Sequence, residues 1–302
     1  MKTKTILCSL LISVLTLSNS FGQYNQSASM NVITEEIQES YVDEDSGEKK
    51  VRTVQKEVES DSYGNAKGNQ YDLAVDGAFE GQTVAVLHLY TGGGFDFELP
   101  KNALAEKGFS VYRWMNTPPS AKELKEGLDK SCQLWIISGA SQQLNDEHLA
   151  VIKDFFESGK GVYIWGDNTP YYGDANFISK ALIGVEMLGN VNGQQVVNLQ
   201  MEEKKPGITP NHLITTGIQN IYEGHTIATL TESENLTPII YGSANNLVTA
   251  VYEQKGRRLI LDGGFTRLYV NWDAAGTGRY VKNAAAWLVN YERFGDEVVA
   301  NK

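Results

Sequence analysis

Gln133-Leu-Trp-Ile-Ile-Ser138, the turn Gly139-Ala-Ser141, the segment Asn145 to Gly159, then Gly161-Val-Tyr-Ile-Trp165 and Gly166-Asp-Asn168: this run decides the fold. Its first and fourth pieces are short, unbroken apolar runs closed by turn residues, the pattern of strands buried on both faces. Between them Leu149, Ile152 and Phe155-Phe156 fall at helical spacing. Asn145 stands where an N-cap belongs, and Gly159 where a helix must stop. Strand, glycine turn, helix, glycine, strand is a unit whose two strands lie parallel.

The same grammar extends outward. Upstream, Thr83-Val-Ala-Val-Leu-His-Leu-Tyr90 is a buried strand closed by Thr91-Gly-Gly-Gly94, and a helix is expected over Leu99 to Lys107 before Gly108. Phe109-Ser-Val-Tyr112 follows as a strand, ended by Pro118-Pro119. Ser120 with Glu123 three residues on reads as a capping box. Downstream, Val191 to Met201, His225 to Leu230, Pro238 to Tyr241 and Leu247 to Tyr252 read as extended segments. Arg257 to Asp262 is the last core strand, and Tyr280 to Tyr291 a terminal helix. The expectation is an α/β domain: three layers, with helices on both faces of a doubly wound, mainly parallel sheet.

The ends read differently. Lys2 and Lys4, the apolar run Ile6 to Leu17 and the small polar exit to Gln23 have the order of a secretory signal peptide. The run is shorter than the roughly 20 apolar residues a permanent span needs. Residues 1–23 are therefore expected to be removed, and the product to be exported, periplasmic or extracellular, with no integral membrane segment. Residues 24–80 are polar and Ser/Gly/Asn-rich, expected as an N-terminal extension ordered at most in part. Its Asp43-Glu-Asp-Ser-Gly-Glu48 turn closes a hairpin or links two short helices. The later oxygen ligands of a calcium loop are missing there. The domain is expected over 81–292, with 293–302 a tail.

Charge narrows the partners. Losing the leader takes away two lysines and no acid, so the whole-chain charge of -11 becomes about -13. Such a chain repels phosphate backbones, which excludes nucleic acid as a partner. Cys132 alone outlives processing, so no intramolecular disulfide is expected.

One family shares several of these residues. Leu134 to Gly139, Leu144-Asn-Asp-Glu147 and Ile152 to Gly166 resemble the middle of class I glutamine amidotransferase-like domains. Asn211-His-Leu-Ile-Thr-Thr-Gly217, Lys255 to Gly264 and Asn283-Ala-Ala-Ala-Trp-Leu288 resemble segments of the trehalose-utilisation-type branch. The resemblance covers residues from about 81 to 292 and implies a flavodoxin-like sheet order. Amidotransferases of that family carry a cysteine on the elbow after the fourth strand and a histidine after the last core strand. By this resemblance Asp167 or Asn168 occupies the cysteine position, and Gly263, Gly264 and Phe265 stand where the histidine belongs. Cys132 precedes a strand, at the opposite end of the sheet from the elbows. The implication is that glutamine is not hydrolysed and that the fold serves another purpose.

A doubly wound sheet binds ligands beyond the carboxyl ends of its strands. The turns there offer Gly93, Gly94, Ser138, Asp167, Asn168, Asp262, Thr266 and Arg267 as ligand-binding candidates, with Tyr90 and Trp165 nearby. Asp167 is the one catalytic candidate, and it needs a second carboxylate, Asp262 or Glu98, to work as an acid–base pair. The competing structural expectation is that the glycines serve tight turns and Asp167 caps the next helix. Phe265-Thr-Arg-Leu-Tyr-Val-Asn-Trp-Asp273 is dense in aromatics with polar tips, and Arg267 either pairs with Asp273 or faces a ligand. Gly92-Gly93-Gly94 lacks the lysine of a phosphate loop. His88 reads as a core histidine, His148 as exposed on its helix, His212 as a loop residue, and His225 as the opening of a strand. No two histidines have metal-ligand spacing, and no Gly-x-Ser-x-Gly occurs. No cofactor is expected. The ligand is expected to be a small molecule, a glycan or a protein partner, bound without catalysis, with a divergent hydrolase or lyase as the alternative.

Overall fold

The computed structural model describes residues 34–203, 205–272 and 275–290. The leader, the tail and Asp273 lie outside the described residues. In chain order the elements begin with β1 (Thr34–Val42), β2 (Lys49–Glu57), β3 (Thr83–His88), α1 (Glu98–Glu106) and β4 (Ser110–Met115). Then come α2 (Ala121–Leu128), β5 (Gln133–Ile137), α3 (Asp146–Glu157), β6 (Gly161–Trp165) and α4 (Gly173–Ile183). The second half holds β7 (Met187–Asn192), β8 (Val196–Asn198), β9 (Gly207–Ile208), β10 (Asn220–Tyr222) and β11 (Thr226–Leu230). It closes with β12 (Leu236–Tyr241), β13 (Leu247–Gln254), β14 (Arg257–Asp262) and α5 (Thr277–Leu288).

Eight strands form the central sheet in the order β4-β3-β5-β6-β14-β13-β12-β9. From β4 to β14 every pairing is parallel, so the expected α/β class and three-layer build are what the chain adopts. Period-two alternation sorts the strands onto two cores. Val84, Val86, Trp135, Tyr163, Trp165 and Ile260 face α1 and α5. Ala85, Leu87, Ile136, Ile164 and Leu261 face the layer containing α3 and α4. The chain leaves β3 toward β4 on one side and returns to β5 on the other, which puts the topological switch point at β3.

Past β14 the sheet turns antiparallel, which the sequence pattern did not reveal. β13 and β14 pair through Gln254↔Arg257, leaving only Lys255 and Gly256 in the turn. Both have positive φ, 54° and 69°. A two-residue turn of that kind closes a hairpin and leaves no length for a crossover helix.

Local signals behaved as their chemistry requires. Ser120 and Glu123 form a complete capping box at α2. At α3 the cap is Asn145, and His148 completes it: its Nδ1 accepts from the Asn145 amide while its Nε2 meets the Pro119 carbonyl at 2.7 Å. His148 is thus buried, contrary to its expected exposure, because the capping geometry turns the ring back against the preceding loop.

Among the described residues before 81, Thr34 to Glu57 form a hairpin, and the strap that follows joins the core. β1 and β2 pair in register from Thr34↔Glu57 to Val42↔Lys49, and the turn between them is held by Asp43, whose Oδ1 accepts from the Ser46 amide. Leu73, Ala74, Ala78 and Phe79 enter the core shared with α5. Asp72, fully buried, receives Lys107 and Lys282 at 2.8 Å each and Arg279 at 2.7 Å, which ties the strap to α1's end and to α5.

Candidate functional site

The carboxyl ends of β3, β5, β6 and β14 emerge at one end of the molecule, and the candidate residues sort there by depth. β6 ends at Trp165, and Gly166 follows because a Cβ there would stand 2.3 Å from the Met187 sulfur. That close approach turns the chain so that Asp167 projects at the rim, although only 4% of it is exposed. Its Oδ1 accepts from the Asn168 amide at 2.8 Å and from the Thr226 hydroxyl at 3.0 Å. Burial pushes its pKa up to about 7, against the lowering pull of those two hydrogen bonds.

Asp167 does not cap the next helix. α4 opens at Tyr172 with no side-chain cap. Ser138 supplies the acceptor instead, its hydroxyl receiving the Asp174 and Ala175 amides at 3.1 and 3.3 Å. Asp174 in turn accepts from the Gln143 and Leu144 amides, locking the turn after β5 against α4.

Three tyrosines surround the rim. The Tyr90 and Tyr269 hydroxyls are 3.4 Å apart, and the Tyr171 ring meets Tyr90 edge-on at 5.6 Å. Phe95 and Phe265 floor this group, the Phe265 centroid lying 4.7 Å from that of Tyr90. The Tyr269 phenol is held protonated, by burial first, then by Tyr90, with the charge of Asp167 also acting on it. All three tyrosines remain half-buried.

Asp262, one strand over, has a different environment. It is fully buried, and its Oδ1 takes the Gly264 amide at 2.9 Å and Arg267 at 3.2 Å. Its Oδ2 takes the Tyr280 and Tyr163 hydroxyls at 2.8 and 3.2 Å. Arg267, also fully buried, donates to the Glu223 carbonyl at 2.9 Å and lies over the Tyr280 ring. Among the described residues its Nε and Nη1 have no hydrogen-bond acceptor. Thr266 holds the His225 amide at 2.7 Å. Gly93 and Gly94 sit in an exposed loop, where an added Cβ would touch nothing within 4 Å, and Gly94 needs its φ of 90°.

The eight sequence candidates therefore divide. Asp167 and Asn168 stand at the rim, and Gly93 and Gly94 lie in the loop after β3. Ser138, Thr266, Asp262 and Arg267 hold the scaffold beneath. Glu98, the other proposed acid partner, is exposed and paired with Lys101 at 3.2 Å. Thr226 and Tyr171 were missed, since no local pattern marks them. Tyr269 lay within the aromatic-dense segment, and that density was its signal.

Burial moves the cysteine and two of the histidines away from neutral titration. Cys132 sits at the opening of β5, its amide and thiol both directed at the Thr83 carbonyl, and burial pushes the thiol up to about 12. His88 is buried, and burial with the neighbouring Arg113 guanidinium drives its pKa down to about 4, which fits the core role expected of it. Burial also takes His212 down to about 4. Among the described residues no three His, Cys, Asp or Glu side chains gather as a metal would require, and no helix is long and apolar enough to cross a membrane.

Fold and rim together define a three-layer α/β protein with a protonatable carboxylate among tyrosines at the strand ends. No family model matches the chain, and no curated protein matches it. Solved structures do. One is a putative ThuA-like protein from Parabacteroides merdae ATCC 43184, 12% identical, with 70% of this chain and 90% of that one covered and a TM-score of 0.44. Another is the exo-beta-1,4-mannosidase Op5Man5 from Opitutaceae bacterium strain TAV5, at 11% identity and a TM-score of 0.39, covering 69% of this chain and 36% of that one. A third is Agd3, a novel carbohydrate deacetylase, at 13% identity and 0.41, covering 69% and 32%. The chain thus spans about a third of the length of each of those two enzymes.

Proposed function

We propose that the chain is an exported binding module that holds a neutral, hydroxyl-rich ligand, a small sugar or glycan, at the Asp167 rim without transforming it. The observation that carries this reading is Asp167 itself. It is desolvated, poised near neutral pH, and faces the tyrosine group with no second carboxylate free to assist it. A carboxyl group near its pKa both donates and accepts hydrogen bonds, which suits hydroxyls better than it suits anions. Half-buried tyrosines give flat apolar faces with polar tips, the usual lining of a site for an amphipathic ligand.

The hydrolase or lyase alternative loses its motive. All the hydrogen-bonding partners of Asp262 lie within the scaffold, and Glu98 is engaged at the surface. A single carboxylate with no nucleophile beside it makes a poor two-step hydrolytic centre. The glutamine amidotransferase relationship stays a proposal resting on the sequence resemblance.

The test is thermal unfolding and calorimetric titration against neutral mono- and oligosaccharides, with Asp167→Asn and Tyr269→Ala alongside. A binding sugar raises the melting temperature of the wild type, since it stabilises only the folded state. The gain should fall about tenfold in affinity with either substitution. A shift insensitive to both substitutions would move the site elsewhere. Release of new reducing ends during the titration would defeat the non-catalytic half of the proposal.

A further inference from the structure

A second cavity opens where α5 begins. Leu288, at the far end of this helix, packs against Gly161, the first residue of β6, so α5 runs antiparallel to the strand. Its N-terminus therefore rises at the same end of the molecule as the rim. The N-cap is Gly276, φ 63°, without a side chain to accept the first-turn amides. No other residue fits there, because a Cβ would stand 2.5 Å from the Asn220 carbonyl oxygen. The amides of Thr277, Gly278 and Arg279 are the first-turn donors that a helix cannot satisfy internally, and the helix dipole places partial positive charge on them.

The second observation is independent of the helix. Asn65 is only 2% exposed, and its Oδ1 accepts the Gln219 and Asn220 amides at 2.7 and 2.8 Å. Two backbone donors on one atom fix the amide orientation, so the group left over is Nδ2. Among the described residues that atom has no hydrogen-bond partner. It lies 3.3 Å from the point a Gly276 Cβ would occupy, beside the helix start. Asn65, Gly276, Thr277, Gly278 and Arg279 line one cavity of about 240 Å³. A buried amide donor left unpaired is costly, and such a group in a native fold calls for a partner.

We propose that this cavity binds a tetrahedral oxyanion, phosphate or sulfate, free or as an ester, on the α5 amides and Asn65 Nδ2. The charged groups lining it are Lys67, Arg279, Lys282 and Asp61. Arg279 and Lys282 are held by Asp72, and Lys67 pairs with Glu59 at the surface, so the cations provide field and the amides provide the contacts. Asp61 is turned to its own loop, its Oδ1 accepting the Tyr63 and Asn65 amides. Uncapped helix starts of this kind are ready-made anion sites.

The experiment is calorimetric titration of the full chain with inorganic phosphate, inorganic sulfate and phenyl phosphate, with chloride at matched ionic strength as the reference. Asn65→Asp is the decisive variant. It keeps the acceptor for Gln219 and Asn220, and it replaces the free donor with a second oxygen and a charge. The wild type should bind phosphate or sulfate saturably and chloride not at all. Asn65→Asp should weaken that binding at least about tenfold while leaving the anion-free melting temperature close to wild type. Should Asn65→Asp fail to fold, Lys67→Glu at the mouth should still weaken binding severalfold. Phenyl phosphate binding as well as the inorganic ion identifies esters as occupants, and inorganic ion alone identifies the free anion. Absence of saturable binding in the wild type, or binding unaffected by either substitution, overturns the site.

Discussion

Asp167 and Asp262 follow or end neighbouring strands at the same end of one sheet, and they have opposite surroundings. Asp262 points toward α5, where a buried arginine, an amide and two phenols saturate its oxygens. Asp167 points toward the rim, where one oxygen takes an amide and a hydroxyl and no hydrogen bond reaches the other among the described residues. A saturated aspartate beside a buried cation is a piece of scaffold, because each partner exists to neutralise the other. An under-supplied aspartate in a dry setting keeps its proton near neutrality and remains available to something that arrives. The difference lies in depth: Asp262 is the last residue of β14, in register with Trp165, whereas Asp167 stands two residues past the end of β6, in the turn.

The largest effect expected breaks the scaffold side of this comparison. Asp262→Ala leaves the Arg267 charge buried without its counterion and takes the acceptor from Tyr280 and the Gly264 amide, while Tyr163 keeps only its 2.7 Å bond to the Tyr280 hydroxyl. Removing one partner of a buried pair costs about 3–5 kcal/mol. For a body of this size the melting temperature should drop on the order of 10 °C. A drop of only a degree or two in a differential scan would mean that Asp262 is no more structural than Asp167.

Next comes a change of the opposite sign. The Asp167 carboxyl has a folded-state pKa near 7, against 3.8 ordinarily. Between those values the folded state keeps a proton that the unfolded state has lost, so stability falls as pH rises through this window and levels off above it. Asp167→Asn keeps the Oδ1 acceptor and removes the titration. The variant should be more stable than wild type at pH 8, by a few kcal/mol at most, with the gap closing toward pH 4. Parallel unfolding curves for the two proteins across this range would show that Asp167 is well solvated or paired, and the rim would lose its distinction.

How far this was readable from sequence follows from the range of each interaction. The buried strand runs, the Ser120 box and the Asn145 cap are local, and they were legible within a few residues. The Lys255-Gly256 hairpin was local too, but its consequence, an antiparallel flank, depends on where β13 pairs. Asp167 was placed at a strand end by counting. Its environment was not legible, because Thr226 lies 59 residues away and Tyr269 reaches it only through tertiary packing. Asp262 and Arg267 looked like ligand groups for the same reason: depth below the rim has no sequence signature. The strap at Asp72 sat in a stretch whose composition reads as polar, and its three cations come from residues 107, 279 and 282, far along the chain.

Ser138 gives the smallest effect and the finest resolution. It stands at the end of β5 among the rim candidates, yet its hydroxyl oxygen is spent on two amides of α4. If it belongs with Asp262 as scaffold, Ser138→Ala should cost about 1 kcal/mol, the usual toll for losing a helix cap, and shift the melting temperature by a few degrees. Sugar affinity at the rim should then stay within about twofold of wild type, since the tyrosines and Asp167 keep their positions. A variant with unchanged stability and lost binding would reverse the assignment. It would place Ser138 beside Asp167 as a ligand-contacting group and move the boundary between rim and scaffold one strand deeper.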